Sequence, residues 1–123
     1  MKMFKLDCYG DTTGPIELED ELEVYYGEIG CQWIDIVTRF IDGVEFDIIC
    51  DDEGLMKPNC RITAFSSENE PMLVGNLLFA HHDDEGNMTE LTDDDIALIN
   101  SHVRRVLTRA TMQYQAVFGV NYS

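Results

Sequence analysis

The chain has 123 residues, of which 24 are acidic and eight are basic, so its formal charge is -16 and its isoelectric point is near 4.2. Such a charge repels nucleic acid and anionic membranes, so direct binding to nucleic acid or to a membrane is not expected. It attracts basic protein surfaces. An apolar content of 45% is enough for a single folded domain over residues 1–123. Because the sequence has no long apolar run and no secretory signal, we expect a cytoplasmic protein.

The N-terminal part predicts a short strand followed by a short acidic helix. Residues 2–8 have a strand-like pattern, and Pro15 suits the first turn of a helix over residues 16–26. Gly27 suits the end of this helix. Its apolar face is formed by Leu18, Leu22, Tyr25 and Tyr26.

The centre of the chain predicts an antiparallel hairpin. Residues 33–41 and 44–50 are rich in β-branched and aromatic side chains, and Asp42-Gly43 between them is typical of a two-residue hairpin turn. The second segment alternates between apolar and acidic residues, as a half-buried strand does. Residues 61–65 and 72–80 predict two further strands.

The last element is predicted to be a long helix that ends at Gly119. Thr92 suits the N-cap position, and Asp95 stands three residues later, as in a capping box. One apolar stripe at helical spacing is formed by Ile96, Ile99, Val103, Val106, Leu107, Ala110 and Tyr114. The order β-α-β-β-β-β-α predicts an α+β fold, with a mainly antiparallel sheet, a short N-terminal helix and a long C-terminal helix.

Candidate metal and catalytic groups do not form a known motif. His81 and His82 are followed by three acidic residues, but adjacent positions on a strand point to opposite faces. The cysteines are interpreted as small buried residues, with a zinc site as the alternative, because no close Cys pair is present among Cys8, Cys31, Cys50 and Cys60. Trp33 is interpreted as a core residue, with a ligand pocket as the alternative. No catalytic residue, metal or cofactor is predicted.

Several segments resemble family 3846 among the domains of unknown function, from about Leu18 to Asn100. They are residues 26–37, 50–55, 58–59, 74–79 and 91–96, read in that order. The resemblance implies an accessory gene of a phage or other mobile element, in a bacterial host. It implies no catalytic residues, because the matching pieces are turns and helix caps.

The acidity itself is the strongest indication of function. Carboxylates on a helix and its neighbouring turns can imitate the regular charges of a nucleic-acid backbone. We therefore expect a non-enzymatic protein, monomeric or homodimeric, that occupies the basic groove of a host nucleic-acid-binding or defence protein, in the manner of anti-restriction or anti-CRISPR inhibitors. The predicted binding residues are Glu17, Glu19, Asp20, Glu21, Glu23, Asp93, Asp94 and Asp95. The alternatives are a small-molecule or metal-binding domain, with a pocket near Trp33, Cys50 or His81, and a regulatory subunit that dimerises through a sheet edge.

Overall fold

The computed structural model describes residues 1–8, 12–56, 61–68, 70–110 and 113–122. Within this part of the chain it contains ten strands, two α-helices and one short 3₁₀-helix, Gly54–Met56. The strands are β1 Lys2–Leu6, β2 Gly14–Glu17, β3 Ile34–Ile41, β4 Val44–Asp51, β5 Ile62–Phe65, β6 Pro71–Val74, β7 Leu77–His82, β8 Met88–Thr89, β9 Val103–Ala110 and β10 Gln113–Asn121. The helices are α1 Leu22–Ile29 and α2 Asp93–His102. None of the described helices is long and apolar enough to cross a membrane.

The strands form two sheets, and the predicted α+β class with mainly antiparallel pairing is confirmed. The first sheet has the order β2-β1-β7-β4-β3, with β8 beside β7, and all of its neighbours are antiparallel. The second sheet has the order β6-β5-β10-β9 and contains one parallel pair, β5 with β10. The prediction of a single sheet missed this division.

The first sheet is covered on both faces, which produces two apolar cores. One face packs against the second sheet and α2, through a cluster that includes Phe46, Phe79, Ala64 and Ile99. The other face packs against α1, and its buried cluster is Met3, Tyr25, Ile29, Ile49, Leu78 and Ala80. The central strand β7 contributes to both cores because successive side chains alternate between faces.

The predicted hairpin is confirmed as β3 and β4. Ile41 pairs with Val44, so the turn contains only Asp42 and Gly43. Both turn residues have positive φ, 48° and 80°, as a type I′ turn requires. Eight consecutive residue pairs follow this turn, which explains why a local sequence signal was sufficient to predict it.

The N-terminal helix starts later than predicted. Pro15 lies in β2, opposite Phe4 of β1, and α1 begins only at Leu22. Proline is tolerated there because β2 is an edge strand whose N–H groups on one side have no ladder partner. The helix ends at Gly30 rather than Gly27, with Gly30 in the left-handed conformation at φ 82°.

The predicted long C-terminal helix is wrong beyond His102. The capping box of Thr92 and Asp95 is present, but Val103 is already extended, and β9 and β10 form a hairpin. Arg104, Arg105 and Arg109 fall within the predicted helix but lie on a strand. The sequence Val-Arg-Arg-Val-Leu-Thr-Arg-Ala is compatible with both periods, and pairing with β10 decides the outcome.

The predicted strand over residues 72–80 is divided between the two sheets. Gly75 has φ 76° and its N–H donates to the Arg61 carbonyl, so the chain turns there. β6 before it pairs with β5 in the second sheet, and β7 after it is central in the first.

Candidate interaction surface

Two of the predicted binding carboxylates meet at Lys2, at one end of the first sheet. The Lys2 ammonium pairs with Asp93 at the start of α2, and Lys2 lies opposite Glu17 in the pairing of β1 with β2. The ammonium of Met1 lies 3.3 Å from the Glu17 carboxylate, and the Lys2 N–H donates to Glu90 at 3.2 Å. The hydrogen bond with Asp93 raises the pKa of Lys2 and lowers the pKa of Asp93. The fold thus brings two acidic segments, distant in sequence, to one place.

The acidic residues of the segment that leads into α1 are all exposed. Asp20 accepts a hydrogen bond of 2.6 Å from the Tyr25 hydroxyl. Burial of Tyr25, and secondly this hydrogen bond, raise the pKa of Tyr25. Four of the eight predicted carboxylates form no hydrogen bond or ion pair within the described part of the chain: Glu19, Glu21, Glu23 and Asp94. These four are the carboxylates best placed to meet a partner's cations.

Asp95 has local structural partners, unlike its neighbour Asp94. It accepts from the Thr92 N–H at 2.8 Å and from the Thr92 hydroxyl at 2.9 Å, which completes the capping box. It also lies 2.9 Å from His81 Nε2, and the His81 ring stacks on Phe46 at 5.0 Å. Burial alone raises the pKa of Asp95, but the hydrogen bonds from Thr92 and His81 outweigh burial and hold this pKa below its usual value.

His82 is held by acids on the opposite face of the sheet from His81. Its Nδ1 lies 2.8 Å from Asp47, and its Nε2 lies 3.3 Å from Glu45. Asp47 is buried and also accepts from the Thr38 hydroxyl at 3.2 Å. The hydrogen bond with Asp47, followed by the nearby negative charges, raises the pKa of His82 above 6.5.

We expect His82 to make the stability of the protein depend on pH. A raised histidine pKa gives stabilisation that is fully present below the unfolded-state pKa of 6.5 and is lost as pH rises through the folded-state pKa. The melting temperature of the wild type should therefore exceed that of His82→Gln most at pH 5.5, and this difference should shrink by pH 8.5. Thermal unfolding across this range checks the expectation, with His102→Gln as a matched control. An unchanged difference over the whole range would contradict it.

The described residues contain no group of three or more metal-ligating side chains. The two adjacent histidines point to opposite faces, as their spacing predicts, and each contacts a different carboxylate. Cys50 is a buried thiol, as predicted, whereas Cys8 and Cys31 are only partly buried, and Cys60 lies outside the described residues. Burial raises the pKa of Cys50 to about 11, so this thiol is protonated at neutral pH and is a poor nucleophile.

Two open depressions flank the turn after β4. One, of about 480 Å³, is lined by Tyr26, Cys31 and Gln32 among others, and the second, of about 370 Å³, contains the exposed Met56 and Met72. The carboxylates that line the second depression are Asp35, Asp51, Asp52 and Glu53. The sequence predicts only a turn at residues 51–54 and places Met72 in a strand, and no periodic signal indicates that Met56 and Met72 share a surface.

Trp33 lies just before β3 and is 60% exposed, so its interpretation as a core residue is wrong. Its carbonyl accepts from the Asp52 N–H at 3.0 Å, which extends the hairpin by one pair. Because Trp33 precedes the regular strand, the alternation of side chains between the two faces of β3 does not determine its exposure. Trp33 therefore lies on the surface, near Asp52, which lines the second depression.

The C-terminal hairpin has the opposite charge to the rest of the chain. Residues 103–123 carry three arginines and no acidic residue, whereas all the acids precede residue 96. β9 pairs with β10 along its length, and β10 pairs with β5 at Val120 and Asn121. The charge asymmetry is evident in the sequence, but the predicted long helix assigns the arginines to the wrong structural element.

Comparison with known proteins gives a family but no functional relative. No curated protein matches the chain, and no solved structure matches it. One family model, described as Domain of unknown function (DUF3846), matches residues 8–104, which extends from the end of β1 to the first residues of β9. Since this match covers well over half of the chain and agrees with the resemblance found in the sequence, the protein belongs to the DUF3846 family.

Proposed function

We propose that the protein is a non-enzymatic interaction protein of the phage or mobile-element type, which binds the basic groove of a host nucleic-acid-handling or defence protein. Its carboxylates take the place of nucleic-acid phosphates in that groove, as in anti-restriction or anti-CRISPR inhibitors. The observation that carries this proposal is the meeting of the two acidic segments at Lys2, together with four carboxylates that have no partner within the described chain.

Unpartnered carboxylates favour binding for an energetic reason. A carboxylate that already has an internal cation must lose that contact before it meets an external one, whereas Glu21 and Glu23 have no such contact with any residue that the structure describes. They also lie at the first turn of α1, where helical order fixes their spacing on the surface. Such ordered charges increase the rate of encounter with a basic surface and make binding depend strongly on salt.

Charge removal at the start of α1 should weaken partner binding more than equal charge removal elsewhere. We expect Glu21→Gln/Glu23→Gln to reduce affinity roughly tenfold, since each exposed ion pair contributes up to about 1 kcal/mol. The matched control is Glu68→Gln/Glu70→Gln, which removes the same charge from two exposed residues of the turn between β5 and β6. Circular dichroism verifies that both variants fold.

The measurement begins with capture of partners from a bacterial lysate at low salt and elution in a salt gradient. A captured protein that elutes earlier from the α1 variant than from the control, and that duplex DNA displaces, supports mimicry. Equal elution from both variants would show that only the total charge matters. Retention that added DNA does not reduce would contradict the assignment of a nucleic-acid-binding groove as the target.

A further inference from the structure

The two edges of the first sheet differ in how well they are protected. β2 is a four-residue edge that contains Pro15, and proline limits further strand pairing. β3 at the other edge has eight residues, contains neither proline nor glycine, and pairs only with β4 among the described strands. A long regular edge of this kind is a template for another strand.

Apolar side chains are exposed along the β3 edge, on the face that carries α1. Ile36 is 47% exposed and Phe40 is 45% exposed, with Thr38 between them on the same face. The buried part of the α1 core includes no residue of β3, and Ile34 only packs against its margin. This part of the sheet therefore offers apolar surface beside an open backbone edge.

The outward backbone groups of β3 are partly occupied by the strand's own charged side chains. Because the Trp33 carbonyl faces β4, alternation directs the backbone groups of Ile36 and Thr38 away from β4. The Ile36 N–H donates to Asp35 Oδ1 at 2.9 Å, and Arg39 Nη1 donates to the Thr38 carbonyl at 2.8 Å. One acidic and one basic side chain thus lie along the edge, on either side of Val37.

This arrangement is self-complementary. We propose that two copies of the chain associate through β3, antiparallel and about a two-fold axis at Val37. In this register the Asp35 and Arg39 side chains release the Ile36 N–H and the Thr38 carbonyl, and Ile36 then forms the hydrogen-bonded pair with the copy's Thr38. Asp35 lies opposite the copy's Arg39 in a non-hydrogen-bonded pair, where side chains are closest, and the symmetry repeats this contact. A shift of the axis by one residue in either direction would leave both charges without their opposites.

The association must overcome repulsion between two chains of charge -16. Two reciprocal ion pairs act over contact distance, whereas the general repulsion acts over long distances and is screened beyond about 8 Å at physiological ionic strength. Dimerisation should therefore be weakest at very low salt and stronger at about 0.15 M salt. Added salt should weaken the proposed binding to a basic partner, whereas it should strengthen dimerisation. Experiments can therefore contradict one of these proposals without contradicting the other.

Charge reversal provides the test, since the two single variants are complementary to each other. Asp35→Arg places arginines opposite each other, and Arg39→Asp does the same with aspartates, so each variant alone should dimerise about 100-fold more weakly than the wild type. In a mixture of the two variants every contact again joins opposite charges, and a heterodimer should form. Analytical ultracentrifugation at 0.15 M salt measures both results, with Asp84→Arg as the control.

A wild type that stays monomeric at high concentration, or a mixture of variants that stays monomeric, would overturn the proposal. Val37→Cys provides a second measurement if the charge variants do not fold. The two Val37 positions face each other on the axis, within reach of a disulfide, whereas Asp35→Cys places the two thiols too far apart. Mild oxidation should yield a 37–37 disulfide, identified by mass spectrometry. Its absence, or equal cross-linking through position 35, would exclude this register.

Discussion

Replacement of Phe79 by alanine is expected to lower the free energy of unfolding by about 3–5 kcal/mol. Phe79 has no exposed surface and lies on β7, the strand between β1 and β4 in the first sheet. Its ring stacks with Phe4 at 6.0 Å, and it lies opposite Ile48 in the pairing with β4. Truncation leaves a cavity between these neighbours because they belong to paired strands and cannot close the space independently.

Urea denaturation followed by circular dichroism measures this loss. The matched control is Phe40→Ala, which removes the same side chain from a position that is 45% exposed. Phe40 buries less apolar surface on folding than Phe79 does. Its truncation should therefore lower the free energy of unfolding by less than about half of the loss at Phe79. Similar losses at both positions would contradict the burial of Phe79 in the core between the first and second sheets.

The parts of the fold that are coded locally could be predicted from the sequence. The Asp42-Gly43 turn needs positive φ at two successive residues, and Thr92 with Asp95 completes a capping box within four residues. Residues 103–110 lack such a local signal, because their valines and leucine fit a helical stripe as well as a strand. Their conformation depends on β10, whose last residues pair with β5 far away in sequence.

The candidate surface was predictable to a similar degree. The exposure of the acidic residues follows from their charge, and the sequence correctly places Asp93 to Asp95 at the start of a capped helix. It wrongly places Glu17 to Glu21 within the N-terminal helix, which begins only at Leu22. Which of them are neutralised does not follow from the sequence. The N-terminal ammonium reaches Glu17 only after β1 has paired with β2, and Lys2 reaches Asp93 only after the start of α2 has packed beside β1. The self-complementary edge of β3 was equally hidden, since Asp35 and Arg39 become significant only when β3 is known to be an edge.

Asp95→Ala should destabilise the protein, whereas Asp94→Ala should have little effect. Asp95 receives two hydrogen bonds from Thr92 and contacts His81, so its loss removes a helix cap and leaves a half-buried histidine without its carboxylate. We expect a decrease of about 1–3 kcal/mol in the free energy of unfolding. Asp94 has no partner within the described residues, and its contribution through the helix dipole should be about 0.5 kcal/mol.

The pH dependence of stability in the Asp95→Ala and Asp94→Ala variants distinguishes a structural carboxylate from a binding carboxylate. Since the folded-state pKa of Asp95 lies below 3.8, its stabilisation is fully present above that value and is lost as pH falls through the folded-state pKa. Chemical denaturation at pH 7 and pH 3 should therefore show a difference between wild type and Asp95→Ala that shrinks on acidification. If Asp94→Ala destabilised the protein equally, the capping box would not explain the effect. If Asp94→Ala weakened partner binding while leaving stability intact, the charge at this helix start would belong to the binding surface, as the sequence predicts.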